Sequence, residues 1–299
     1  MFVSVTLPLL DLRAALGNAQ NRLQEPIALA PQHDSAQRIG EVSGPARGLG
    51  VRPGMGVGEA IDICPELSLI TPDPNRSEGI WQAFLTRIEA TGARVESDRH
   101  GEAFFLAGPL DRLYGGLAGT LDAVASRLGP NVLIGAAPSR LAALAAAHGG
   151  RSQAVVRPED LQTVLDPLPV AVLDGRLEGP PARVRHMTAS LARLGIHRLG
   201  QLREIPRDAI ADRFGELGIE ALETASGVEP PLRPREPREQ VSESLDLPEV
   251  ASGVQLQSAL TILCDRLCSR LAGLGMSVRS LTMEARLSGG GSWSRQAAP

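Results

Sequence analysis

The chain opens on Phe2-Val3-Ser4-Val5-Thr6, apolar and polar positions alternating with a period of two. That pattern predicts a half-buried strand, and Pro8 forbids its long continuation inside a sheet. A helix can begin at Asp11 and run to Leu16. A short apolar stretch at 27–30 follows, and Gly44, Gly48 and Gly50 mark a small loop or helix end. Residues 55–64 read as a short helix stopped by Pro65, residues 67–70 as a strand, and 71–75 as a turn. From 79 to 91 the positions Ile80, Phe84, Leu85 and Ile88 recur at helical spacing. Residues 94–95 and 103–106 read as strands flanking a polar turn at 97–101, a hairpin. A helix over 117–128, a strand over 131–135 and an Ala-rich helix over 139–148 complete the first half. This order predicts an α+β domain, an antiparallel sheet backed by helices.

Between 160 and 230 the pattern becomes helical with short loops. Leu194-Gly195-Ile196 closes one helix on a glycine, and further helices are expected over 199–204 and 209–214. Residues 230–239, with four Pro among charges, read as a linker. A strand over 241–247, an amphipathic helix over 254–274, a strand over 280–287 and a glycine turn at 289–291 follow. That last β-α-β unit reads as an incomplete domain.

Composition narrows the chemistry. All 30 basic residues among the 299 are Arg, against 34 acidic ones, so no catalytic or phosphate-binding Lys is available. Arg, a planar bidentate donor suited to phosphate, is the remaining strong cation. The formal net charge is −4, so any nucleic-acid contact must be local or shared with a partner. Cys64, Cys264 and Cys268 offer no metal cluster; the last two, at i,i+4 spacing, read as core. Few, unpaired cysteines, no signal peptide and no membrane-length apolar run lead to the expectation of a soluble cytoplasmic protein.

Three motifs carry a resemblance. The first is Ala46-Arg47-Gly48-Leu49-Gly50-Val51-Arg52-Pro53-Gly54-Met55, followed by Glu59-Ala60 and Cys64-Pro65-Glu66-Leu67. The second is Leu194-Gly195-Ile196 with Leu199-Gly200-Gln201-Leu202 and Arg213-Phe214-Gly215. The third is the hairpin over 95–108. In this order they resemble the fingers signature, the helix-hairpin-helix thumb and the catalytic hairpin of the Y-family (lesion-bypass) DNA polymerases. The resemblance implies a right-hand arrangement: palm over 1–17 and 72–160, fingers over 18–71, thumb over 161–230, linker over 231–239 and an apparently truncated little finger over 240–299.

The family binds two divalent cations ~4 Å apart between an Asp on the first strand and an Asp-Glu pair on the hairpin. At the matching positions this chain has Thr6, with Pro8 where another acid often stands, and Gly101-Glu102 on the hairpin. Glu102 is the only retained carboxylate, and the plain reading of it is a surface acid. Glu96 and Asp98 fall before the turn, and Asp11 five residues beyond Thr6. Arg47 and Arg151 match positions that contact triphosphate, as vestiges. Arg183, Arg185, Arg193, Arg198 and Arg203 form a segment without an acid, suited to DNA phosphates.

Lost acids on a kept scaffold resemble the catalytically inactive ImuB-type branch of the family. That implies a non-catalytic DNA-binding scaffold in translesion synthesis, DNA repair and damage-induced mutagenesis, with no cofactor. The partners implied are primer–template or damaged DNA, the sliding clamp, an error-prone C-family polymerase and a RecA-like accessory protein. The competing readings are a divergent active lesion-bypass polymerase using Mg²⁺, and an α+β protein unrelated to DNA.

Overall fold

The alternating N-terminal run is indeed a strand, β1 (Phe2–Thr6), in the computed structural model, which describes residues 1–31, 37–149, 153–235, 241–247, 251, 253–274, 278, 281–286 and 292–297. After it come α1 (Leu10–Leu16), β2 (Ile27–Leu29), α2 (Gly44–Gly48), α3 (Val57–Ile63), β3 (Ser68–Ile70) and α4 (Pro74–Glu89). The chain continues through β4 (Glu96–Arg99), β5 (Glu102–Leu106), α5 (Gly108–Tyr114), α6 (Leu117–Leu128), β6 (Leu133–Ala137), α7 (Arg140–His148) and β7 (Gln153–Val155). Five helices follow: α8 (Leu161–Leu165), α9 (Pro181–Arg193), α10 (Leu199–Arg203), α11 (Arg207–Phe214) and α12 (Glu216–Ala225). A second unit, Pro237–Pro299, holds α13 (Val254–Leu274) and the antiparallel pair β8 (Leu281–Arg286) and β9 (Ser292–Ala297).

In the first unit, Met1–Glu236, the sheet runs β4-β5-β1-β6-β7. Every pair is antiparallel except β6–β7. There α7 carries the chain back over the sheet, and such a crossover returns a parallel strand, which corrects the expectation of an antiparallel sheet at that edge. One face is dry: Val3, Val5, Ala103, Phe105, Ile134 and Ala136 pack with Trp81, Phe84, Leu85 and Ile88 of α4 and with Leu121 and Val124 of α6. On the other face lies α7, whose alanines meet β6 so closely that a Cβ on Gly135 would run into the Ala143 carbonyl oxygen and the Ala147 nitrogen. Leu141, Ala142, Ala143 and Ala146 of α7 join Leu165, Leu173, Val184, Met187, Leu191, Leu199 and Leu202 in the core of the 161–230 helical segment. The insert between α1 and α4 has a small core of its own, Ala28, Ile39, Val42, Ala46, Val51, Ala60 and Cys64.

Several expectations are corrected. α4 starts at Pro74, within the stretch read as a turn, because Asp73 caps it by accepting from the Arg76 N–H and Pro suits the first helical turn. Most of the polar 97–101 stretch is strand, and the turn shrinks to His100-Gly101 with Gly101 at φ 85°. β4 is an edge strand, where polar side chains are tolerated because the ladder is made by backbone groups. Residues 241–247 form no strand; alternation makes one only where a neighbouring strand takes its hydrogen bonds. Cys264 and Cys268 are exposed on α13 rather than core. Helical spacing shows that two residues share a face, not that the face is covered. The glycine turn expected at 289–291 lies outside the described residues.

The Pro-rich stretch behaves differently in its first half. Glu229 accepts from the Arg140 and Leu141 N–H groups at the start of α7, and the Arg233 N–H donates to the buried Glu96 carboxylate. Arg235 donates its backbone N–H to the Val95 carbonyl, and its guanidinium grips Glu89 at 2.6 and 3.0 Å. Residues 229–235 are therefore a strap across the first unit.

Candidate functional site

β1 and β5 bring Thr6 opposite Glu102. Directly opposed residues of an antiparallel pair point to the same face, here the one on which α7 lies, since Phe2, in step with Thr6, packs into the α7 core. Thr6 is buried and its Oγ1 has no hydrogen-bond partner; the Ser4 Oγ is likewise buried and unpartnered. Gly101 offers no side chain, and its carbonyl accepts the Leu7 N–H at 3.0 Å, tying the hairpin turn to the end of β1. Pro8 follows beside that contact, half-buried and without a metal-binding atom in its side chain.

Glu102 is not the surface acid expected. Arg176 donates Nη1 to its Oε2 at 3.0 Å and Nη2 to its Oε1 at 3.1 Å, with the two side chains 16% and 19% exposed. The burial is imposed by a turn at 174–176, just beyond a short 3₁₀ segment, Val170–Leu173. The Asp174 carboxylate accepts from Thr188 Oγ1 on α9 at 2.8 Å, and its carbonyl accepts from Arg99 Nη2 at 2.8 Å. Beside this pair, His148 at the end of α7 has a pKa below its ordinary 6.5. Partial burial is the main cause; the charges of Arg176 and Arg47 push the same way, and Glu102 opposes them.

A pair of divalent cations needs several carboxylate oxygens turned to one point. Here one carboxylate is present, both its oxygens are held by a guanidinium, and among the described residues no three His, Cys, Asp or Glu side chains converge to hold a metal. The nearby acids are engaged elsewhere. Glu96 is buried against Arg140 and the Arg233 N–H, and Asp11 pairs with Ser77 and, at 3.4 Å, with His100 Nδ1. Asp98 is exposed on the edge strand. The residues present do not fit a two-metal centre.

The basic positions divide. Arg47 is exposed on α2, whose start Ser43 caps by accepting from the Ala46 N–H. Arg151 lies outside the described residues. Arg183, Arg185, Arg193 and Arg198 are all exposed, with Arg193 donating to Ser190 Oγ at 3.0 Å. Around the axis of α9, Arg193 stands about 80° from both Arg185 and Arg183. Arg183 stands on the other flank, lining a cleft with Glu178, Glu216 and Glu220. Arg203 is paired with Asp166 at 2.6 Å. The segment has no acid of its own, but the fold brings acids from before and after it to two of its five arginines. Sequence reasoning missed Arg176, Arg99 and His148. Arg176 lies 74 residues from Glu102, so no local pattern could pair them.

Comparison with known proteins places these observations. The profile of the impB/mucB/samB family (IMS) matches residues 13–148. Protein ImuB of Caulobacter vibrioides is 30% identical over 233 residues, 73% of this chain and 48% of that protein. DNA polymerase IV of Shewanella halifaxensis is 26% identical over 216 residues, 69% of this chain and 57% of that one. The chain thus spans about half the length of the ImuB relative. Among solved structures, DinB from Sulfolobus solfataricus superposes with a TM-score of 0.56 at 17% identity, covering 99% of this chain and 87% of that one. A Dbh ternary complex gives 0.54 at 16%, covering 100% and 88%. Among the described residues no helix is long and apolar enough to cross a membrane. Residues 13–148 thus form a domain of the impB/mucB/samB (IMS) family, in a chain that is similar to ImuB and shares the fold of the solved DinB and Dbh structures.

Proposed function

We propose that the chain is a non-catalytic, DNA-binding Y-family-like protein that acts as a scaffold in translesion synthesis and damage-induced mutagenesis in the cytoplasm. The observation that carries this reading is the state of the palm centre: Thr6, Pro8 and Gly101 stand at the metal-ligand positions, and the one carboxylate, Glu102, is neutralised by Arg176. In this reading β1, β4–β7 and α4–α7 are the palm, the 18–71 insert the fingers and the 161–230 helices the thumb. DNA is held through its phosphates by Arg185, Arg193 and Arg198, with Arg183 at the margin, while Arg47 keeps a vestigial phosphate contact. Phosphate contacts position a duplex without reading its sequence, which is what a scaffold requires. The sliding clamp, an error-prone C-family polymerase and a RecA-like accessory protein are the partners this reading expects.

The test is primer extension on a primer–template with Mg²⁺ and, separately, Mn²⁺, beside a binding titration on the same DNA. The expected result is salt-sensitive binding and no incorporation. Template-directed incorporation abolished by Glu102→Ala would overturn the reading in favour of a divergent polymerase. Absence of any affinity at low salt would overturn its DNA-binding half.

A further inference from the structure

The β4–β5 hairpin and the 174–176 turn are joined at two points. Arg176 takes both oxygens of Glu102, and Arg99 reaches back to the Asp174 carbonyl. Arg99 and Glu102 are opposed residues of the hairpin ladder, so the two anchors leave adjacent strands at one level and close on one three-residue turn. Gly175, between the anchored residues, has φ +69°, and a Cβ there would run into the Arg99 guanidinium. The turn is fixed from its far side as well, by Thr188 on the Asp174 carboxylate. Arg176 Nε is buried with no hydrogen-bond partner, so the side chain is oriented by its two-pronged contact with Glu102 alone. A planar guanidinium facing a carboxylate through two parallel N–H···O bonds is a strong, geometrically specific charge pair.

Building on the non-catalytic reading, we infer that Arg176 is a resident counter-ion of the palm centre. It neutralises Glu102 in place of a divalent cation, keeps such a cation off that carboxylate, and latches the start of the helical segment onto the hairpin. Arg176 is a positioning residue: the orientation of hairpin and helices is set by a side chain of the chain itself and does not wait for metal or nucleotide. A lone carboxylate binds hard cations weakly in any case, and a guanidinium in contact with both its oxygens opposes them further through like-charge repulsion.

The test uses the full 299-residue chain in two arms. In the first, Mn²⁺ is titrated at constant ionic strength and the free ion is followed by electron paramagnetic resonance. Wild type and Glu102→Gln should give superimposable titrations through the millimolar range; Mn²⁺ uptake that Glu102→Gln removes overturns the inference. In the second, thermal midpoints are compared for wild type, Glu102→Gln, Arg176→Gln and the double variant. Each single substitution should lower the midpoint, and the double should lower it no further than Arg176→Gln does. Arg176→Lys, which keeps the charge and loses the fork, should fall between wild type and Arg176→Gln. Additive losses, or full rescue by Lys, overturn the latch. Neither arm reads incorporation or DNA affinity: incorporation abolished by Glu102→Ala would sink the proposed function and with it the exclusion of a cation from Glu102, whereas failure of the thermal arm alone removes the latch and leaves the proposed function to primer extension.

Discussion

His148 reports on the Glu102–Arg176 pair because its proton feels both charges. Its imidazole is held below the ordinary value of 6.5 by burial first and by Arg176 and Arg47 after it, against the opposing pull of Glu102. Removing the negative charge should therefore lower its pKa further, and removing Arg47 should raise it. Proton NMR titration checks both signs: Glu102→Gln moves the His148 resonance to a lower midpoint and Arg47→Gln to a higher one, with His148→Gln identifying the peak. Shifts in the opposite directions would mean that these side chains do not surround the imidazole. At this scale the sequence was informative about what was missing and uninformative about what replaced it. Through the family resemblance, Thr6, Pro8 and Gly101 are expected where metal ligands would stand, one position at a time. Arg176 is one Arg among 30 until the chain folds it onto Glu102.

Helices and strands followed the hydrophobic pattern where each element makes its own contacts, and departed from it where a neighbour decides. α6 and α13 lie where the pattern puts them, since an amphipathic stripe is a local property. The strap at 229–235 is the opposite case: it begins the stretch over 230–239 whose four Pro and charges read as linker. Its hold on α7 depends on a buried carboxylate, and burial raises the pKa of Glu229, despite the Arg140 and Leu141 N–H groups and the Arg140 charge that lower it. A carboxyl whose folded pKa is raised binds its proton more tightly in the folded state. Its contribution is complete below the unfolded value near 4.5 and is lost as pH rises through the folded pKa. Urea denaturation of wild type and Glu229→Gln across this range should show the stability difference shifting in favour of the variant as pH rises from about 4.5. A difference that is flat, or that shifts toward the wild type, would mean the buried charge is not disfavoured.

For the molecule as a whole, a formal charge of −4 argues against a surface that grips nucleic acid everywhere. The fold sharpens that argument by pairing Arg203 with Asp166 and setting Arg183 in a cleft with three Glu, leaving Arg185, Arg193 and Arg198 as the exposed arginines of the segment with no acid paired to them among the described residues. Each phosphate contact contributes a slope of about −0.9 in log affinity against log salt on duplex DNA. Replacing Arg185 or Arg193 by Ala should therefore weaken binding alike on every sequence and reduce the slope by about one, whereas Arg203→Ala should leave the slope unchanged. Equal effects from all three would return the site to a diffuse basic run.

The residues themselves determined the α+β class, the order of the elements and the lack of any Lys, because composition and periodicity are written along the chain; the family resemblance added the expectation that only Glu102 remains of the family's carboxylates. Only the tertiary structure decided that Glu102 is half-buried against Arg176, that the supposed linker begins as a strap, that the arginines of 183–203 are divided, and that Cys264 and Cys268 are exposed. Each of these depends on groups far apart in sequence or on whether a face is covered. A side chain's charge is local information, while its partner and its burial are set by packing.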